Sequence, residues 1–123
     1  MHVPQIKSAL GISGVLTNVH SWFHAADSVY PTGAQVDLLL DRADNVINLC
    51  EMKYSSGPYA IDKAVDSLIA TKVEAFKSLS KTQKAVHVTF ITSNGLVRNS
   101  YWNAVQSEVT LDDLFVAANL PLF

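Results

Sequence analysis

Residues 34–53 read AQVDLLLDRADNVINLCEMK, and this stretch decides the fold. Two apolar runs, 34–42 and 46–53, flank a short polar break at Asp44 and Asn45. Runs of this length on either side of a brief turn form an antiparallel hairpin. Apolar residues occupy both alternation phases of each run, as in an inner hairpin covered on both sides. An acid or an amine in such a hairpin is costly unless paired or ligated. Three residues are therefore conspicuous: Asp37, Glu51 and Lys53.

Side chains alternate along a strand, so Glu51 and Lys53 share a face with Ile47 and Leu49, and Cys50 and Met52 point the other way. Gln35, Asp37 and Leu39 form one face of the preceding strand. Pairing about a centre near Asp44 sets Asp37 opposite Glu51 on one face. Two opposed carboxylates repel, and a divalent cation between them resolves the conflict. A one-residue slip would carry Asp37 to the other face. Mg²⁺ or Mn²⁺ suits such oxygen ligands and polarises a phosphoryl group. On this reading Asp37, Glu51 and the Met52 carbonyl are metal ligands, and Lys53 is the catalytic cation.

The flanks complete an α/β pattern. Residues 3–10 predict a short helix opened by Pro4 and stopped by Gly11. Residues 14–23 predict a strand, and 24–33, with Pro31 and Gly33, a loop. Ser55 to Pro58 break the pattern after Lys53. Ile61, Val65, Leu68, Ile69, Val73, Phe76 and Leu79 recur at helical spacing, predicting a helix from Tyr59 to Leu79. Residues 85–93 predict a strand, Asn94-Gly95 a turn, and 96–107 a further strand or extended segment. Thr110 followed by Asp113 opens a last helix through Ala118. The order α-β-β-β-α-β-(β)-α implies a mixed sheet of four or five strands with helices packed on it, and a right-handed crossover through the long helix.

The chain has 123 residues, nearly half apolar, which fits a single domain over residues 1–123. Its formal net charge of -2 argues against a basic nucleic-acid-binding surface. The single cysteine, Cys50, excludes an internal disulfide and suits a reducing compartment. No apolar run is long enough for a membrane span and no secretory leader is evident, so a cytoplasmic location is expected.

Asp37 … Glu51-Met52-Lys53 resembles the PD-(D/E)XK signature. QIKSALGISGV, GAQVDLLLDRADNVINLCEMKYS, the PYAIDKA helix start and VQSEVTLDDLF together resemble the C-terminal domain of a family of prokaryotic AAA-type ATPases. The resemblance implies a restriction-endonuclease-like core, a nuclease site using Mg²⁺ or Mn²⁺, and DNA ahead of RNA as substrate. It also implies an associated ATPase domain. The chain has no GxxxxGK[ST], so ATP binding through a P-loop is not expected. Many superfamily members take a further acid from the first helix. Here no Asp or Glu precedes Asp27, and Gln5 is the candidate replacement.

Secondary candidates have plainer alternatives. Gln35 serves metal-bound water or caps the sheet. Ser55 contacts phosphate or is a turn residue. Lys63 binds phosphate or is a solvated helix lysine. Trp22, Phe23, Tyr101 and Trp102 stack on bases or pack in a core or interface. His20 and His24 have zinc spacing only on a helix, and His20 falls in a predicted strand. A homodimer would place two sites on a duplex. The rival to a nuclease is a catalytically weak or inactive module of the same fold, docking on an ATPase or another protein.

Overall fold

The computed structural model describes residues 3–118, with side chains described through Leu114. A five-stranded mixed sheet with helices on both faces carries the described chain. Its elements are α1 (Val3–Ala9), β1 (Thr17–His24), β2 (Ala34–Arg42) and β3 (Val46–Lys53), then α2 (Lys63–Ser80), β4 (Ala85–Thr92), a 3-10 turn (Ser100–Ala104), β5 (Ser107–Thr110) and α3 (Leu111–Ala118). The strands lie in sequence order. β1–β2 and β2–β3 are antiparallel, whereas β3–β4 and β4–β5 are parallel. Parallel neighbours need a crossover, which α2 supplies between β3 and β4.

Local chemistry sets the boundaries. Gly11, at φ 74, ends α1 in a Schellman arrangement: Ile12 N–H donates to the Lys7 carbonyl and Gly11 N–H to that of Ser8. The β2–β3 hairpin closes through Asn45 at φ 67, a left-handed conformation that Asn tolerates. The Arg42 guanidinium clasps the Asp44 carboxylate within that turn. Gly33, at φ 69, lies so close to the next strand that a Cβ would meet the His24 carbonyl oxygen at 2.7 Å. Only glycine fits there.

Three departures from the sequence reading exceed a single residue. The first strand begins at Thr17, because Val15 N–H closes a turn onto the Ile12 carbonyl. The long helix begins at Lys63, not Tyr59, since Asp62 caps it by accepting from Val65 N–H. Tyr59 is occupied elsewhere, bridging to Leu96 in a parallel pairing. Of residues 96–107, read as a strand or extended segment, only Leu96, in a bridge, and Ser107, in β5, join the sheet. Asn99 accepts from Tyr101 and Trp102 N–H and folds that segment into the 3-10 turn. β5 starts only at Ser107. The last helix opens as foreseen, with a reciprocal capping box: Thr110 N–H donates to Asp113 and Asp113 N–H to the Thr110 hydroxyl.

The sheet divides the core into two layers. On one face Leu38, Leu40, Cys50, Ile91 and Val109 pack against Ile6 of α1 and Leu114 of α3. On the other, Val36, Leu39, Ile47 and Leu49 pack under Phe76 of α2. Val88 and Phe90 extend this second layer to Ile61, Ile69 and the 3-10 turn. Asn48, fully buried, donates to the Thr89 hydroxyl and accepts from Arg42, so the central strands carry a satisfied polar link.

Candidate functional site

Glu51 and Lys53 emerge near the C-terminal end of β3, beside the parallel strand β4, where Glu51 stands level with Phe90 and Lys53 with Thr92. Crevices outside the carboxyl ends of parallel strands are common ligand sites in α/β sheets. The Glu51 side chain is only 11% exposed, yet it is fully partnered. Lys72, reaching down from α2, donates to both carboxylate oxygens at 3.2 and 3.1 Å. Lys53 lies 3.7 Å from Oε1. One carboxylate between two ammonium groups leaves one unit of net positive charge on an otherwise acidic chain.

The sequence reading missed Lys72, although its signal was present. It sits three residues after Ile69 and four before Phe76, on the inward stripe of α2. A lysine in that position needs a carboxylate beneath it. Tyr59 stands near the same charges. Burial raises its phenol above the usual range, and Asp62 and Glu51 push in the same direction.

Asp37 does not join this group. β1 pairs His20 with Leu39 but Trp22 with Val36, so Ser21 alone spans Asp37 and Leu38. This is a β-bulge in β2, and it reverses the inside-outside alternation. Val36 packs with Leu39 and Phe76 on the α2 face, although strict alternation would place it with Leu38. Gln35 and Asp37 flank Val36, are both exposed, and are joined by a 2.9 Å hydrogen bond. They project away from the face that holds Glu51. The expected pairing of Asp37 and Glu51 on one face thus fails, although the hairpin register holds: Leu38 stands opposite Cys50.

This geometry limits the metal chemistry. No group of three His, Cys, Asp or Glu side chains suited to a metal occurs among the described residues. A clamp of two carboxylates, Asp37 with Glu51, does not fit. A one-carboxylate mode does, because Mg²⁺ often takes one or two carboxylates and completes its shell with water and phosphate oxygens.

The auxiliary candidates divide similarly. Ser55 ties the ends of β3 and β4 together: its N–H donates to Ser93, its carbonyl accepts from Ser93 and Asn94, and its hydroxyl donates to the Gly57 carbonyl. Lys63 is an exposed first residue of α2, and Gln5 is half-buried on α1 across the sheet from Glu51. Met52 turns its side chain into the α1–α3 layer. Gln106, without a role in the sequence reading, accepts from Val88 N–H at 2.6 Å and anchors the segment before β5. Trp22 packs edge-on against Phe76, and Trp102 lies under the Arg98 guanidinium. His24 pairs with Asp27 at 2.7 Å. Glu108, on the same sheet face as Glu51 and separated from it by Phe90, has a buried Oε2 without a partner among the described residues.

An apolar cavity of about 430 Å³ opens between α2 and the 3-10 turn. Ile69, Val73, Val88, Phe90 and Val105 line it, with Asp66, Glu74 and Lys77 at its sides.

No protein-family model and no curated protein matches the chain. Among solved structures, the chain is similar to the crystal structure of AF1548, a protein of unknown function. The TM-score is 0.59 at 13% identity, covering 98% of this chain and 65% of that one. The chain thus spans just under two thirds of AF1548's length, and the likeness is one of fold.

Proposed function

We propose that this domain is a restriction-endonuclease-like unit that acts on phosphodiesters, with DNA ahead of RNA as substrate. Its centre is Glu51, Lys53 and Lys72, which replaces the predicted trio Asp37, Glu51 and Lys53. The observation that carries the reading is the Glu51 carboxylate held between two lysines at the carboxyl end of a parallel strand pair. That cluster offers net positive, partly desolvated charge to an anionic phosphate on a chain that is acidic as a whole. The sequence motif Glu51-Met52-Lys53 supports the same chemistry.

The residues have distinct tasks. Lys53, the more exposed of the two lysines, faces an incoming phosphate and stabilises negative charge developing on its oxygens. Lys72 holds Glu51 in place and neutralises it while no other cation is present. Glu51, 3.7 Å from Lys53, is the Mg²⁺ or Mn²⁺ ligand. When bound, the ion would supply Lewis-acid polarisation of the phosphoryl oxygen.

The test is cleavage of single- and double-stranded DNA, and of RNA, with Mg²⁺ or Mn²⁺. Wild type is compared with Glu51→Gln and Lys53→Met. Cleavage that either substitution lowers by about 100-fold or more is expected. No cleavage by wild type, or cleavage indifferent to both substitutions, rejects the proposal.

A second reading has its own support. The apolar cavity beside α2, together with the separation of Asp37 from Glu51, favours a catalytically weak module that docks on an associated ATPase or another protein. Inactivity of wild type on every substrate, with the fold intact, favours it.

A further inference from the structure

The two edges of the sheet differ. β5 is four residues long, whereas β1 runs for eight, Thr17–His24, without Pro, Lys, Arg, Asp or Glu. Natural edge strands are kept apart by charge, by proline, by shortness or by a covering element. Sequence provides β1 with none of the first three, and its burial pattern shows it mostly uncovered. The bulge sits in β2, so β1 itself runs without an inserted residue. Val19 and Phe23 lie on its α1–α3 side and are 48% and 70% exposed. His20 and Trp22 lie on the other side, facing Leu39 and Val36 of β2.

We propose that β1 is the interface for a second copy of this chain, with the two β1 strands pairing antiparallel about a two-fold axis at Ser21. The strand sequence is self-complementary in that register. Val19 stands across from Phe23 of the second copy, and Phe23 across from its Val19. Each is an aromatic–β-branched pair of the kind that stabilises sheets. On the other face His20 meets Trp22, twice. Every directly opposed pair is thus uncharged or paired with an aromatic ring, and no like charges meet. Shifting the register by one residue would replace both Val–Phe pairs with mismatched faces. The contact is isologous and closed, as two-fold dimers require, and joins two five-stranded sheets into one.

Sedimentation equilibrium and cysteine crosslinking test this. Wild type is expected to be dimeric at micromolar concentration. Val19→Lys with Phe23→Lys places like charges opposite one another and is expected to give a monomer. The partner variant, Val19→Glu with Phe23→Glu, is also expected to be monomeric alone and to form a heterodimer when the two are mixed. Independently, Ser21→Cys places two thiols opposite each other across the axis. Opposed residues in antiparallel strands lie at Cα separations that a disulfide spans. Ser21→Cys should crosslink on oxidation, and Thr17→Cys, which faces residue 25 of the second copy, should not. Cys50 is buried and gives no background. A monomeric wild type, a dimer that survives the double lysine variant, or equal crosslinking at both positions overturns the proposal. None of these outcomes depends on nuclease activity.

Discussion

Asp37 and Glu51 stand near each other on adjacent antiparallel strands, yet they project from opposite faces of the sheet. The bulge across from Ser21 separates them, because it inserts one residue into β2 between Val36 and Leu39. The consequence is measurable. Glu51→Gln is expected to lower cleavage far more than Asp37→Asn, which should cost less than about tenfold. Equal losses in the two variants would mean that β2 straightens and brings Asp37 to the Glu51 face when substrate binds.

Lys72 is the neighbour that Glu51 uses most fully, with the two side chains only 14% and 11% exposed. Breaking a charged hydrogen-bonded pair at that depth should cost stability. Lys72→Met is expected to lower the urea-unfolding free energy by about 1–3 kcal/mol. The same variant should bind Mn²⁺ more tightly, because the competing ammonium is gone. Titration of Mn²⁺ against wild type and variant checks the second point, and unchanged affinity would remove Lys72 as a competitor for the Glu51 carboxylate.

Cys50 is buried between β2 and β4, and burial pushes its thiol up to about 12, with Glu51 adding in the same direction. The folded pKa thus lies above the unfolded value. The thiol's contribution is fully present below the unfolded pKa and is lost as pH rises through the folded one. Between about pH 9 and pH 12 the unfolded chain has released a proton that the folded chain still holds. Stability should therefore fall by roughly 1 kcal/mol per pH unit from this group in that window. Cys50→Ala should flatten the slope relative to wild type, whatever its cost at neutral pH. Identical slopes would show the thiol to be solvated in the folded chain.

Thr110 and Asp113 cap α3 reciprocally at 2.9 and 3.1 Å. Thr110→Ala removes one half of that box and is expected to cost about 1 kcal/mol. The measurement is a denaturant midpoint at constant m-value. A loss below a few tenths of a kcal/mol would show that packing of Leu114 alone holds the helix start.

Glu108 presents the opposite case. Its buried Oε2 lacks a partner among the described residues, so its charge brings a desolvation cost. Glu108→Gln is expected to leave stability unchanged or raise it by up to about 1 kcal/mol. A clear destabilisation would show that the carboxylate is paired in solution.

The hairpin could be read from the residue pattern alone. Apolar runs on both sides of Asp44-Asn45 set β2 and β3 to the residue, and helical spacing from Val65 to Phe76 set the body of α2. These features are local: alternation, periodicity and capping act within a few residues. The pairing of Glu51 with Lys53 was legible for the same reason, since residues two apart on a strand share a face. The remaining features depend on contacts between distant segments. The bulge in β2 follows from how β1 lies against it, and nothing in AQVDLLL alone announces which residue is extra. Lys72 meets Glu51 because the crossover lays α2 over β3, across twenty-one positions of sequence. Ser100–Ala104 fold into a 3-10 turn because Asn99 caps that turn, while Tyr59 and Leu96 pair across the sheet's end. Local patterns set β2, β3 and the body of α2, and long-range packing set the bulge in β2 and which charged residues face one another.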